Sequence, residues 1–124
     1  MTAGISRHWW WRPGWQPGSR LYTFHFTFAR QPAVQELAAG ARARLAGFSW
    51  LDPVPGRWLH CTTQWFPHVS VAYANADGPA APVDAALAGL PAATVTLAAL
   101  DLIRLGRDRH VYEWEAIASI PLGG

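Results

Sequence analysis

Lysine is absent from this chain, and all ten basic residues are arginine. With eight acidic residues the formal net charge is +2. That excess permits an anionic ligand but is too mild for a general nucleic-acid coat. Cysteine occurs once, as Cys61, so no internal disulfide can form and a reducing cytoplasm is the expected compartment. No apolar run approaches the roughly 18 residues that a membrane span needs. The first thirty residues hold four arginines and no Asp or Glu, and they lack the apolar stretch of a secretory signal. A Gly-rich phosphate loop, a cysteine–histidine metal spacing and a Ser-His-Asp signature are all missing, so neither metal nor cofactor is expected.

What remains is 124 residues, 51% of them hydrophobic, which suits one small domain with its own core. Residues 1–20 form a tryptophan-rich arm. It carries Trp9, Trp10, Trp11 and Trp15 and two turn signals, Pro13-Gly14 and Pro17-Gly18. Leu21 to Phe28 has the aromatic and β-branched character of a strand. Pro32 suits a first helical turn, and Val34, Leu37, Ala38, Ala41 and Leu45 follow at helical spacing, with Gly47 as the stop. Asp52 to Gly56 reads as a loop, Arg57 to Gln64 and His68 to Tyr73 as strands, and Asn75 to Pro79 as a turn. Pro82 opens a short helix bearing Val83, Ala86, Leu87 and Leu90 on one face. Two longer strands, near Thr94–Leu105 and His110–Ile120, close the chain around a hairpin at Gly106-Arg107-Asp108-Arg109. The expected fold is α+β, an antiparallel sheet with two helices on one face.

Two short motifs stand out, His60-Cys61-Thr62 and His68-Val69-Ser70. Alternation along a strand puts residues i and i+2 on the same face. Each motif therefore sets an imidazole beside a hydroxyl, a combination suited to a phosphodiester. The same alternation turns Cys61 to the opposite face, as a small buried apolar residue rather than a nucleophile.

These motifs and their flanks resemble the 2′-5′ RNA ligase family of the two-histidine phosphoesterase superfamily. The resemblance rests on the tryptophan-rich arm, Leu59-His60-Cys61-Thr62, Pro67-His68-Val69-Ser70-Val71-Ala72-Tyr73 and the stretch Leu102-Ile103-Arg104-Leu105-Gly106-Arg107-Asp108-Arg109-His110. It implies a two-lobed fold with one motif per lobe facing across a cleft. The implied activity is metal-independent opening of 2′,3′-cyclic phosphates, or joining of RNA ends through a 2′-5′ linkage. An RNA end or cyclic nucleotide is then the substrate. The family carries a long segment between its motifs, whereas here the two histidines are eight positions apart. The chain resembles one lobe of that fold with an extra motif strand.

So short a spacing constrains a simple hairpin. A two-residue loop, Trp65-Phe66, sends His60 and His68 to opposite faces. A three-residue loop, Trp65-Phe66-Pro67, puts both on one face but offsets them by four residues, roughly 13 Å at about 3.4 Å each. An acid and a base must both reach one reacting group. Two escapes are expected: a kink at Trp65-Phe66-Pro67 that sends the second strand into another sheet, or a homodimer, element-swapped between copies, in which His60 of one chain faces His68 of the other.

In the expected chemistry His60 and His68 act as acid and base, in an order left open, because imidazole titrates near neutrality. Thr62 and Ser70 donate hydrogen bonds to the phosphate oxygens. The alternatives are a non-catalytic remnant that binds RNA or nucleotide, and an inactive fragment. His25, in a third His-x-Thr run, is read as an ordinary strand histidine before a substrate contact. The four arm tryptophans are read as core before base-stacking platforms. Arg104, Arg107 and Arg109 are read as solvated hairpin-tip residues. Tyr112 and Trp114 share a face that is either core or cleft.

Overall fold

The computed structural model describes residues 4–63 and 67–123. Its central sheet has four antiparallel strands. They are β2 (Leu21–Thr27), β4 (His60–Thr62), β7 (Ala99–Gly106) and β8 (Glu113–Pro121), in the order β4-β2-β7-β8. Two short ribbons flank it. One pairs β1 (Gly4–Ile5) with β6 (Gly78–Pro79), the other β3 (Leu51–Pro53) with β5 (Ala72–Ala74).

Helix α1 (Pro32–Leu45) begins on its proline, where a missing N–H costs nothing. No side chain caps Gln31, but the Gln35 amide donates to the carbonyls of Phe28 and Gly56 and ties the first turn to the neighbouring loops. Arg42 and Arg44 occupy the last turn, where cations suit the helix dipole, and donate to the carbonyls of Val54 and Ala88. Ala38 of this helix joins Phe28, Val54, Leu59 and Cys61 in the core, with Phe26 packed alongside. Cys61 and Phe26 are opposed across β4 and β2, so the helix covers that face of the sheet and Cys61 is buried as expected. The other face carries His25, Thr27, His60 and Thr62.

The α+β class is as expected, with differences in detail. Helix α2 (Ala80–Leu87) starts two residues before Pro82 and packs chiefly against α1, not as a second helix lying on the sheet. Residues 94–98 are not laddered, since β2 ends at Thr27 and β8 at Pro121; the Ala98 and Thr96 carbonyls accept instead from the Leu122 amide and the Gln31 side chain. The proposed loop at 52–56 is shared between β3 and a 3-10 turn, Gly56–Trp58. Pro79 and Gly78, read as a turn, pair with the arm. Both Pro-Gly turns form, with Gly14 at φ 85° and Gly18 at φ 87°, a backbone region that strongly favours glycine.

The expected strand His68–Tyr73 is divided. Val69 makes a lone antiparallel bridge to Cys61, the chain bends at Val71, and Ala72–Ala74 pairs with β3 instead. The transfer between sheets therefore happens just after the second motif. Gln64, Trp65 and Phe66, where the hairpin loop and kink were expected, lie outside the described residues.

Candidate active site

The bridge between Cys61 and Val69 decides how the two motifs meet. Carried outward, its antiparallel register sets Thr62 opposite His68 and His60 opposite Ser70. His60 and His68 are then diagonal neighbours on one face, about 7 Å apart at Cβ. This is a third register, different from both hairpins considered above. It shortens the offset from four residues to two, and a single chain achieves it.

All four motif side chains, His60, Thr62, His68 and Ser70, line one cavity of about 430 Å³. His8, His25, Tyr73, Leu105 and Tyr112 complete its wall. Although four histidines line it, no group of three or more His, Cys, Asp or Glu among the described residues is arranged to hold a metal ion.

His60 is buried in the sheet face and its orientation is constrained on several sides. The 3-10 turn aims the Trp58 carbonyl back at the ring, 2.9 Å from Nδ1. A carbonyl only accepts, so Nδ1 carries the proton and, in the neutral ring, Nε2 carries the lone pair. His25 stacks on His60 at 4.6 Å between ring centroids, and Trp114 meets it edge-on at 5.2 Å. Burial lowers the His60 pKa from the ordinary histidine value, the Trp58 hydrogen bond partly offsets this, and the charge of nearby His68 adds to the lowering. His60 is therefore neutral near pH 7. His25 is also buried, and its Nδ1 has no hydrogen-bond partner among the described residues. Burial and, secondarily, His60 push its pKa down to about 4.

His68 is exposed, in contrast to His60. Ser70 hydrogen-bonds to Tyr73, whose hydroxyl is pushed up to about 12 mainly by burial. His8 reaches the cavity from the arm. Its Nε2 lies 2.8 Å from the Tyr112 hydroxyl and its ring lies 4.4 Å from Tyr73. Burial, with Arg12 and Arg107 behind it, lowers the His8 pKa to about 4. The two guanidinium groups also put positive potential on that wall; among the described residues the cavity lining includes no Asp, Glu, Lys or Arg.

Tyr112 lines the cavity, whereas Trp114 lies behind it, edge-on to His25, His60 and Trp58. His25, read first as an ordinary strand histidine, lines the cavity. His8 carried no motif signal and was missed; only its place beside the tryptophans marked the segment. Arg107 is buried rather than solvated. It lies over the rings of Trp9, Trp11 and Tyr112 at 5.1, 5.5 and 5.8 Å and donates to the Trp10 carbonyl. Arg104 and Arg109 keep to the surface, paired with Glu115 and Glu113. The arm divides: Trp9 is core at 2% exposure, while Trp10 and Trp11 are 51% and 43% exposed.

Comparison with family models, curated proteins and solved structures finds no match to this chain.

Proposed function

We propose that this chain carries out metal-independent phosphodiester chemistry on a 2′,3′-cyclic phosphate at an RNA end or on a cyclic nucleotide. The observation that supports it is the meeting of two imidazoles and two hydroxyls in one cavity of one chain. His60 is the base. Its Nε2 lone pair takes a proton from water as the water oxygen bonds to phosphorus. His68 is the acid and protonates the ribose oxygen as its bond to phosphorus breaks. Exposure to solvent lets it reload with a proton. Thr62 and Ser70 donate to the non-bridging oxygens, where negative charge builds up, and Tyr73 holds Ser70 in place. If a second RNA 5′-hydroxyl replaces water, the same groups form a 2′-5′ linkage, the reaction that the resemblance implies.

The test is ring opening of an RNA ending in a 2′,3′-cyclic phosphate, in EDTA, with His60→Ala and His68→Ala alongside. Turnover by the natural chain that is lost in both variants is expected. No turnover between pH 5 and 8, or full activity in both variants, overturns the proposal.

A further inference from the structure

The arm holds one tryptophan in the core and turns two outward, and His8 of the same arm lines the cavity. Arg107 anchors this arrangement, reaching the carbonyls of His8 and Trp10 at 3.5 and 3.1 Å. The His8 amide bonds the Ala74 carbonyl at 2.8 Å, and the Arg7 amide bonds Asp77 at 2.6 Å. The exposed rings are thus carried on a backbone fixed on both sides. Each also has a cation on it: Arg12 lies 4.7 Å from the Trp10 ring centre and Arg107 lies 5.5 Å from Trp11.

A second exposed apolar patch, comprising Tyr22, Phe24, Ile120 and Leu122, serves as a contrast. Tyr22 and Phe24 share the Phe26 side of β2, opposite the face that bears His25 and His60. The arm patch is instead joined to the cavity along the chain, since His8 lines the cavity and Trp10 follows two residues later. Exposed indoles with guanidinium partners, in a stretch without acidic residues, suit a polyanion whose bases have π-faces.

We propose that Trp10, Trp11 and Arg12 form a docking surface for single-stranded RNA, with successive bases stacked on the two indoles and the strand's end directed past His8 into the cavity. Only the direction of the strand rests on the phosphodiester reading; the binding itself does not. Loss of both stacking rings weakens binding by roughly thirtyfold or more.

The experiment measures fluorescence anisotropy of a labelled oligouridylate ending in a 2′,3′-cyclic phosphate, using the full chain, Trp10→Ala, and Trp10→Ala with Trp11→Ala. Circular dichroism monitors folding; the exposure of Trp10 makes the single variant the safer one. The expected result is binding that weakens with rising salt, falls stepwise in the two variants, and loses its preference for the oligonucleotide over uridine 2′,3′-cyclic monophosphate. No binding by the natural chain, or equal binding by all three proteins, overturns the proposal. Arm-dependent binding without turnover leaves this surface standing and removes the phosphodiester reading. Turnover with arm-independent binding does the reverse.

Discussion

The two histidine motifs have the same pattern and opposite settings. His60-Cys61-Thr62 is a sheet strand, laddered to β2 along its length and backed by the helix-side core. Among the described residues, His68-Val69-Ser70 pairs with that sheet by a backbone bridge at Val69 before the chain leaves for another ribbon. The first histidine is buried with its tautomer set by a backbone carbonyl; the second is exposed. Under the proposed chemistry this difference favours His60 as base and His68 as acid, an order the motif pattern leaves open. A base is best held rigid and neutral, and an acid that must recover its proton is best left near water.

The sharpest way to break this contrast is to remove each histidine. His60→Ala and His68→Ala should each lower kcat by about 100- to 10,000-fold, the usual range for an acid or base. The contrast predicts in addition that a weak exogenous acid such as imidazolium partly rescues His68→Ala. Rescue of His60→Ala instead would reverse the assignment.

Thr62→Ala and Ser70→Ala come next, each with a loss of about 100-fold or less measured in kcat/KM. Tyr73→Phe should cost less, about two- to tenfold, because it removes one hydrogen bond that orients Ser70. The loss should vanish when Ser70 is already alanine, and an additive loss in the double variant would show that Tyr73 acts elsewhere.

The pH dependence has two parts with a worked sign. His60 must be unprotonated to act as base and its pKa is lowered, so the acid limb of kcat/KM should lie below the reference histidine value of 6.5. A limb above 6.5 would contradict the burial argument. Stability should behave separately. His8 and His25 titrate near 4 in the folded chain but near 6.5 when unfolded. Between these values the unfolded state binds more protons, so their contribution is present in full above pH 6.5 and is lost as pH falls toward about 4. Denaturant midpoints should drop across that window, and His25→Phe should flatten part of the fall.

The smallest expected effect is none. One chain brings His60 and His68 into one cavity, so specific activity should not change with protein concentration from nanomolar to micromolar. A rise with concentration would mean that a second copy completes the site, as the homodimer expectation required.

Much of this arrangement was legible in the chain itself. Pro32, the helical spacing through Leu45 and the aromatic and β-branched character of Leu21–Phe28 mark α1 and β2 closely. Alternation also turns Cys61 into the core and groups His60 with Thr62. The ends of the other strands were less legible, because a strand lasts only as far as its neighbours do. Thr94–Ala98 has the composition of a strand but no strand ladder, and Val71 bends because Ala72–Ala74 finds β3.

What the sequence alone determined is local: which side chains share a face, where helix α1 begins, where the two Pro-Gly turns fall, and that Cys61 faces away from its histidine. These follow from steric alternation and backbone dihedrals, which depend on near neighbours. What only the tertiary structure decided is how the faces line up. The register of His68 against His60 is set by one bridge at the edge of the sheet, and a slip of a single residue would turn the second motif to the other side. His8 comes to the same cavity because Arg107, far along the chain, holds the arm by its carbonyls. Register and arm docking depend on packing between distant segments, and no spacing within a motif encodes them.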